Sequence, residues 1–256
     1  ITVGAGSTAL GSTASTLTLN GGTLYNSINI GVQSALSVTA TSTLSADDGE
    51  DITFFSSNIS GTAGTTINVR NLNGLGPPAN PRSLEFDSTD GGSFTLASNI
   101  DLGDGCRLRF DNTTGTQTFS GNITGTGIAD GALTRGFGAT HTGTTVLSGD
   151  NSFTGSVSVI LGVLNIRSNT ALGSTVAGTT VSSGAALELQ GGITVGAEAI
   201  TMSGTGVTST GALRNISGNN SISGDITMAA NSSIGSDAGT LTLSGVTSGA
   251  FTLTKV

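Results

Sequence analysis

The stretch TTVLSGDNSFTGSVSVILGVLNIRSNTALGS, residues 144–174, contains two runs of alternating apolar residues joined by turn residues. An apolar residue at every second position is typical of a strand with one buried face. Gly, Asn, Asp and Ser favour the tight turns between such strands. The stretch therefore predicts short β-strands and turns rather than helix.

Two phrases of this stretch recur along the chain. An apolar residue followed by Ser-Gly ends a strand and opens a turn, where we predict that the Gly supplies a positive φ. The copies are Ile59-Ser60-Gly61, Phe119-Ser120-Gly121, Leu147-Ser148-Gly149, Met202-Ser203-Gly204, Ile216-Ser217-Gly218, Ile222-Ser223-Gly224 and Leu243-Ser244-Gly245. The second phrase, Gly followed by alternating apolar residues, opens strands in segments 21–26, 162–166, 184–189, 211–216, 239–243 and 249–256.

The strand-turn-strand unit returns about every 20 to 25 residues, within the range of solenoid repeats. Short strands also suit a sandwich or a barrel, but stacked coils select the same residue types repeatedly. We therefore predict an all-β fold, a parallel β-helix (β-solenoid) of roughly 10 to 12 coils, on the order of 50 to 60 Å long at about 4.8 Å per coil. The asparagines that follow Ser-Gly either form amide ladders between coils or simply favour turns. They are Asn122, Asn151, Asn219 and Asn220.

The composition excludes several classes of protein. Of the 256 residues 35% are hydrophobic and only 9% are charged, so the chain can bury a core and lacks the high charge of disordered proteins. A net charge of −8 without a basic patch argues against a nucleic-acid partner. The longest apolar stretch, 156–166, is too short and too interrupted to span a membrane as a helix.

All three prolines lie in residues 71–83, NLNGLGPPANPRS. Proline cannot donate to a sheet, so we predict a loop excursion, either a plain connection or a recognition loop. This loop separates an irregular β-solenoid part, 1–70, from a regular part, 84–256. The chain begins without Met and ends in what reads as a strand, so we expect a window of a larger protein.

One family motif matches the opening stretch. The matching positions are Leu147-Ser148-Gly149, Asn151, Phe153-Thr154-Gly155, Val159, Gly162, Leu164 and Ala171-Leu172-Gly173. On these residues, segment 143–173 resembles the passenger-associated transport repeat, also called the autotransporter-associated β-strand repeat, although Leu161 replaces a usually polar residue. The resemblance implies a right-handed parallel β-helix on a large bacterial passenger that is exported across the outer membrane and secreted or displayed at the cell surface.

Few residues suggest catalysis. His141 is the only histidine and lacks the Ser and Asp spacing of a triad, so we interpret it as a turn or surface residue. Glu85, Asp87 and Asp90 could provide paired carboxylates for glycoside hydrolysis. Strand alternation places Glu85 and Asp87 on the same face, pointing outward to solvent.

A polysaccharide-acting enzyme on the same fold is the alternative function. It predicts a cleft of acidic and basic side chains on one β-face, formed by Asp101, Asp104, Arg107 and Arg109. A structural protein predicts that these four residues are scattered. An ice-binding solenoid is a further alternative, because Thr-x-Thr pairs occur at 16 and 18, 240 and 242, and 252 and 254.

The densest acidic group, Asp47, Asp48, Glu50 and Asp51, contains oxygen ligands suited to Ca²⁺. Its spacing matches neither an EF-hand loop nor a nonapeptide calcium repeat, so we favour a solvated turn. Cys106 is the only cysteine, which excludes an intramolecular disulfide and indicates a small buried or half-exposed residue.

We therefore predict a structural or adhesive β-helix of a secreted or surface-displayed autotransporter-like passenger or surface fibre, located outside the bacterial cell. We assign it no enzymatic activity, cofactor, metal or catalytic residue. Open coil ends are unpaired β-edges, so end-to-end self-association into filaments is an expected interaction, together with contact to a cell surface or polysaccharide.

Overall fold

A computed structural model of the chain shows a β-solenoid of about ten turns. It describes residues 2–3, 9–10, 15–46, 50–71, 82–88, 90–128, 131–138 and 141–256. Within these ranges the only helical element is a 3-10 turn at Val207–Ser209. No helix in the same ranges has the length and apolar character needed to cross a membrane.

The strands are short, as the alternation predicts. In the first half they are β1 Thr2–Val3, β2 Ala9–Leu10, β3 Thr16–Asn20, β4 Thr23–Asn26, β5 Ile30–Val32, β6 Ala35–Ala40, β7 Ser42–Ala46, β8 Ile52–Phe54, β9 Ile59–Gly61, β10 Thr66–Asn71, β11 Arg82–Phe86, β12 Phe94–Leu96, β13 Asn99–Leu102, β14 Cys106–Phe110, β15 Thr116–Phe119 and β16 Ile123–Gly125. In the second half they are β17 Leu133–Arg135, β18 Thr144–Leu147, β19 Val157–Val159, β20 Gly162–Ile166, β21 Thr179–Val181, β22 Ala185–Gln190, β23 Thr194–Val195, β24 Ile200–Gly204, β25 Leu213–Ser217, β26 Asn220–Ile222, β27 Ile226–Ser236, β28 Leu241–Leu243, β29 Thr247–Ser248 and β30 Leu253–Lys255.

Every pairing between these strands is parallel, and successive coils add one strand to each ladder. One ladder runs β1-β4-β7-β10-β13-β16. A second runs β2-β5-β8-β11-β14-β17-β19-β21-β24-β27-β29. A third runs β12-β15-β18-β20-β22-β25-β27-β30, and shorter ladders join β3-β6-β9 and β23-β26-β28.

The core consists of columns of stacked side chains. In β14, for example, Cys106, Leu108 and Phe110 point inward and are buried, whereas Arg107 and Arg109 point outward. Equivalent inward positions of the second ladder form one column. Its members are Val32, Phe54, Phe86, Phe110, Arg135, Val159, Val181, Met202 and Met228. Each fully buried Leu, Val or Phe side chain contributes about 1.5–3 kcal/mol through removal from water.

The glycines of the Ser-Gly phrase correct one prediction. Positive φ occurs at Gly204 (80°) and Gly218 (90°), as expected. The φ angles are not positive at the other five positions, Gly61, Gly121, Gly149, Gly224 and Gly245. At the last four of these, a Cβ atom would lie only 1.8–2.2 Å from a carbonyl oxygen of the preceding coil. Close approach between coils, rather than backbone conformation, therefore requires Gly at these sites.

The asparagines connect coils, but not by stacking their amides. Asn99 Oδ1 accepts a hydrogen bond from the backbone N–H of Asn122, and Asn122 Oδ1 accepts one from the N–H of Asp150. The side chains of Asn151, Asn219 and Asn220 accept backbone N–H groups of neighbouring coils in the same way. These bonds satisfy backbone donors where the chain turns between strands.

The Pro-containing loop predicted at 71–83 lies mostly outside the described residues. On either side of it, β8 pairs directly with β11 in register, with Phe54 opposite Phe86. The second ladder is therefore continuous across the boundary that the sequence predicts between the 1–70 and 84–256 parts.

Candidate functional site

Three consecutive outward positions of the second ladder bring Thr53, Glu85 and Arg109 side by side. Glu85 pairs in register with Thr53 on one side and with Arg109 on the other. Parallel stacking puts such neighbours about 4.8 Å apart. The Thr53 hydroxyl donates a 2.9 Å hydrogen bond to Glu85 Oε2. Residues far apart in the sequence thus form one polar row on the outer face.

Asp111 lies immediately after β14, where the chain leaves the sheet. Its backbone N–H donates to the carbonyl of Phe86, which fixes it beside the preceding coil. Its side chain is completely buried. Asp111 Oδ1 accepts the backbone N–H of Phe137 and lies 3.5 Å from Nδ1 of His141. The buried carboxyl group of Asp111 therefore contacts the loop that follows β17.

Glu85 and Asp111 lie beside the same arginine, since Arg109 Nη1 is 3.9 Å from Glu85 Oε2 and Arg109 Nε is 4.0 Å from Asp111 Oδ2. Burial, with the neighbouring Asp111 carboxyl group, raises the pKa of Glu85 to about 7, and burial also raises the pKa of Asp111.

Arg109 contacts both acidic side chains and an exposed aromatic ring. Its Nη1 lies 3.8 Å from Asp51 Oδ2 and 3.9 Å from Glu85 Oε2. Its guanidinium carbon lies 3.8 Å from the centre of the Phe137 ring, a cation–π arrangement. Phe137 is 55% exposed although it is a large apolar residue. We call Thr53, Glu85, Arg109, Asp111, Phe137 and His141 the carboxyl cluster.

Arg135 also binds the loop that follows β17, from inside the core. Its guanidinium is fully buried and donates to the carbonyls of Phe110 (3.1 Å), His141 (3.2 Å), Val163 (3.3 Å) and Gly143. Burial lowers the pKa of Arg135 to about 10, so it remains a cation at neutral pH. These bonds explain how a cation can occupy a column of apolar residues.

The structure brings together only some of the residues considered from the sequence. Glu85 points outward, as predicted, but the prediction that it faces solvent is wrong, since its side chain is only 15% exposed. Asp87 lies close enough to Glu85 and His141 to interact electrostatically, and burial raises its pKa. Asp90 instead binds the backbone N–H and hydroxyl of Ser57. The interpretation of His141 as a turn or surface residue is incomplete, since its side chain is only 15% exposed and faces Asp111.

The four residues expected to form an enzyme cleft are not assembled as a group. Asp101 pairs with Arg70 and accepts a hydrogen bond from Thr124, and Asp104 accepts one from Thr126. Arg107 and Arg109 lie on the second ladder instead. These four side chains therefore do not form one cleft.

The calcium candidates lie only partly within the described residues. Asp47 and Asp48 lie outside the described residues. Asp51 Oδ1 accepts the backbone N–H of Ser83 at 2.7 Å, and its other oxygen faces Arg109. Among the described residues, no three His, Cys, Asp or Glu side chains are grouped to hold a metal ion. Cys106 is buried, and burial raises the pKa of its thiol to about 11.

The Thr-x-Thr pairs do not build a repeated array. Thr16 and Thr18 lie opposite Ala35 and Ser37 in the next coil, and Thr242 lies opposite Ser221. A regular threonine grid therefore does not extend from these pairs.

A second polar network was not anticipated from the sequence. Glu188 accepts hydrogen bonds from Asn165 (3.2 Å) and Arg214 (3.1 Å), which lie in the coils on either side. Arg214 also makes two hydrogen bonds to Asp237 in the following coil. In the sequence, the only indication of this network is that each of these successive apolar strands has one polar residue in its middle.

Comparison with family models, curated proteins and solved structures found no match to this chain. A fold of this type carries many unrelated functions, so function must be argued from the geometry. Two features are available for that purpose, the continuous stack of coils and the carboxyl cluster.

Proposed function

We propose that this chain is a structural, adhesive rod of a secreted or surface-displayed bacterial passenger. The observation that supports it most is the continuous second ladder, which runs from β2 to β29 around a single core. A molecule built this way is a spacer of fixed length, and its coils are mutually dependent because each buries its apolar face against the next. The repeat at 143–173 favours an autotransporter-like passenger.

The exterior fits the same role. Outward positions of the second ladder after the carboxyl cluster carry small hydroxyl side chains, namely Ser158, Thr180, Thr201 and Thr227. Asparagine side chains satisfy backbone N–H groups between coils, which leaves few unpaired groups at the turns. Both features favour a soluble surface and slow proteolysis, because local opening of the backbone is needed for cleavage.

We further propose that the rod adds another coil, or a second copy, at its last described edge. The side chains of Phe251, Leu253 and Val256 are 42–48% exposed there. A groove lined by Leu241, Leu253 and neighbouring residues opens beside them. Strand β30 pairs with β27 through Ser232, Ser233 and Ile234, and the described residues place no strand on its other side.

Location outside the cell can be tested by immunogold labelling of the cells that produce the protein. We expect gold particles at the surface of intact cells or in the surrounding medium. An antibody to a cytosolic protein serves as the control for leakage. Labelling that requires permeabilised cells would overturn the proposal.

A further inference from the structure

Two phenylalanine rings lie on the outer face of the second ladder. Phe55 follows β8, and a Cβ atom at the outward position Gly31 would lie 2.5 Å from its ring, so the ring covers Gly31. Phe137 follows β17, and its ring covers the guanidinium of Arg109 at 3.8 Å. Phe137 is 55% exposed, Phe55 is partly exposed, and neither belongs to the apolar core. Both rings are therefore available at the surface.

Strand register sets the distance between the two covered positions. Gly31 pairs with Thr53, Thr53 with Glu85, and Glu85 with Arg109. Three steps of about 4.8 Å place Gly31 and Arg109 about 14 Å apart along the solenoid axis. The two-ring surface, as we call this region, consists of Phe55, Thr53, Glu85, Arg109 and Phe137.

The positions between the rings carry polar groups suited to sugar hydroxyls. Thr53 and Glu85 occupy these positions, and the 2.9 Å hydrogen bond between them fixes both side chains. A hydroxyl donates and accepts hydrogen bonds, and a carboxylate accepts them. The face of an aromatic ring carries partial negative charge, so it attracts the C–H groups on one side of a sugar ring. Aromatic rings flanking fixed polar groups thus match the alternating apolar and polar surfaces of a sugar chain.

The charges beside this surface favour an uncharged ligand. The partly exposed acidic side chains are Asp51, Glu85 and Asp87, and the partly exposed basic ones are Arg107, Arg109 and His141. An anionic polymer would meet the three carboxyl groups. A cationic peptide would meet Arg109, which already occupies one face of the Phe137 ring. Neither sign of charge is therefore complemented along the whole surface.

We propose that the two-ring surface binds a segment of a neutral polysaccharide. One sugar ring packs on Phe55 and another on Phe137, and hydroxyls of the sugars between them bind Thr53 and Glu85. This assignment rests on the proposed adhesive role, and it names the class of ligand to which the rod adheres.

The chain has no tryptophan, so Phe137→Trp places a single fluorescent reporter in the two-ring surface. Trp keeps an aromatic face and the contact with Arg109, since it is the strongest cation–π partner. The probes are linear hexasaccharides of glucose, N-acetylglucosamine, mannose, galactose and xylose. We expect at least one of them to shift the emission to shorter wavelength and to reduce acrylamide quenching. Phe251→Trp is the matched control, because Phe251 is 47% exposed in the last described coil, and it should not respond.

A second substitution tests the other ring. Phe55→Ala in the Phe137→Trp background should weaken binding of the responding sugar about tenfold, whereas Phe55→Tyr keeps the ring and should retain the affinity. If Phe55→Ala does not fold, Thr53→Val removes a hydroxyl between the rings and should weaken binding severalfold.

The proposal would be overturned by the absence of a response to all five sugars, or by equal affinity in folded Phe55→Ala. A response to hexalysine or hexagalacturonate instead of the neutral sugars would also overturn it. Surface labelling and rod formation are measured independently of these titrations, so a negative sugar result removes this site without deciding the proposed function.

Discussion

Replacing Phe86 with alanine is expected to lower the free energy of unfolding by about 4 kcal/mol. Phe86 is completely buried, and its ring centre lies 5.0–6.4 Å from the rings of Phe54, Phe94, Phe110 and Phe119. Removal of the ring leaves a cavity between three coils, which the stacked strands cannot close without breaking register. Urea unfolding followed by circular dichroism measures the loss.

Phe251→Ala is the matched control for this experiment. Phe251 is 47% exposed in the last described coil, so its removal takes little apolar surface out of a core. We expect a change below about 1 kcal/mol. Equal losses for the two variants would contradict the assignment of the phenylalanine stack as the centre of the core.

Gly224→Ala is expected to destabilise the chain by about 3 kcal/mol or more. A Cβ atom at this position would lie 1.8 Å from the carbonyl oxygen of Glu198, and its neighbours there are backbone atoms that cannot rotate away. The coils on either side would have to separate. The change should appear as a lower urea midpoint and as faster amide exchange in strands β24 and β27.

Gly196→Ala provides the comparison at a glycine with space around it. The nearest atom to a Cβ there is Thr175 Cγ2 at 3.7 Å, and its φ is not positive. Alanine at such a site is expected to be neutral or to stabilise by up to about 1 kcal/mol, because it reduces the freedom of the unfolded chain. If both substitutions have the same small effect, the coils are not packed as closely as described.

The solenoid could be predicted because each coil carries its own local pattern. The stretch 144–174 contains β18, β19 and β20, the short strands that its alternation predicts. The predicted reason for Gly in the Ser-Gly phrase, a positive φ, was wrong at Gly121 and Gly224. The actual reason there is a close approach to another coil, which leaves no local sign in the sequence. A phrase can therefore identify a turn without giving the physical reason for its glycine.

The carboxyl cluster could not be predicted because it depends on register between coils of unequal length. Thr53 and Glu85 are neighbours 32 residues apart, whereas Asp225 and Val246 are neighbours 21 residues apart. With spacing this uneven, the sequence does not reveal that Glu85 lies beside Arg109. Asp111 was overlooked for a related reason, since the loop residues that bury it belong to the next coil.

Negative-stain electron microscopy of the purified chain tests most directly whether this stack of coils is a structural rod that grows at its open edge. About ten turns at about 4.8 Å each give a single rod on the order of 50 Å long. We predict filaments several times longer, with uniform width, and their loss in Leu253→Lys, which places a charge on the exposed edge strand. Isolated particles of one rod length at all protein concentrations, or filaments unaffected by Leu253→Lys, would contradict the account.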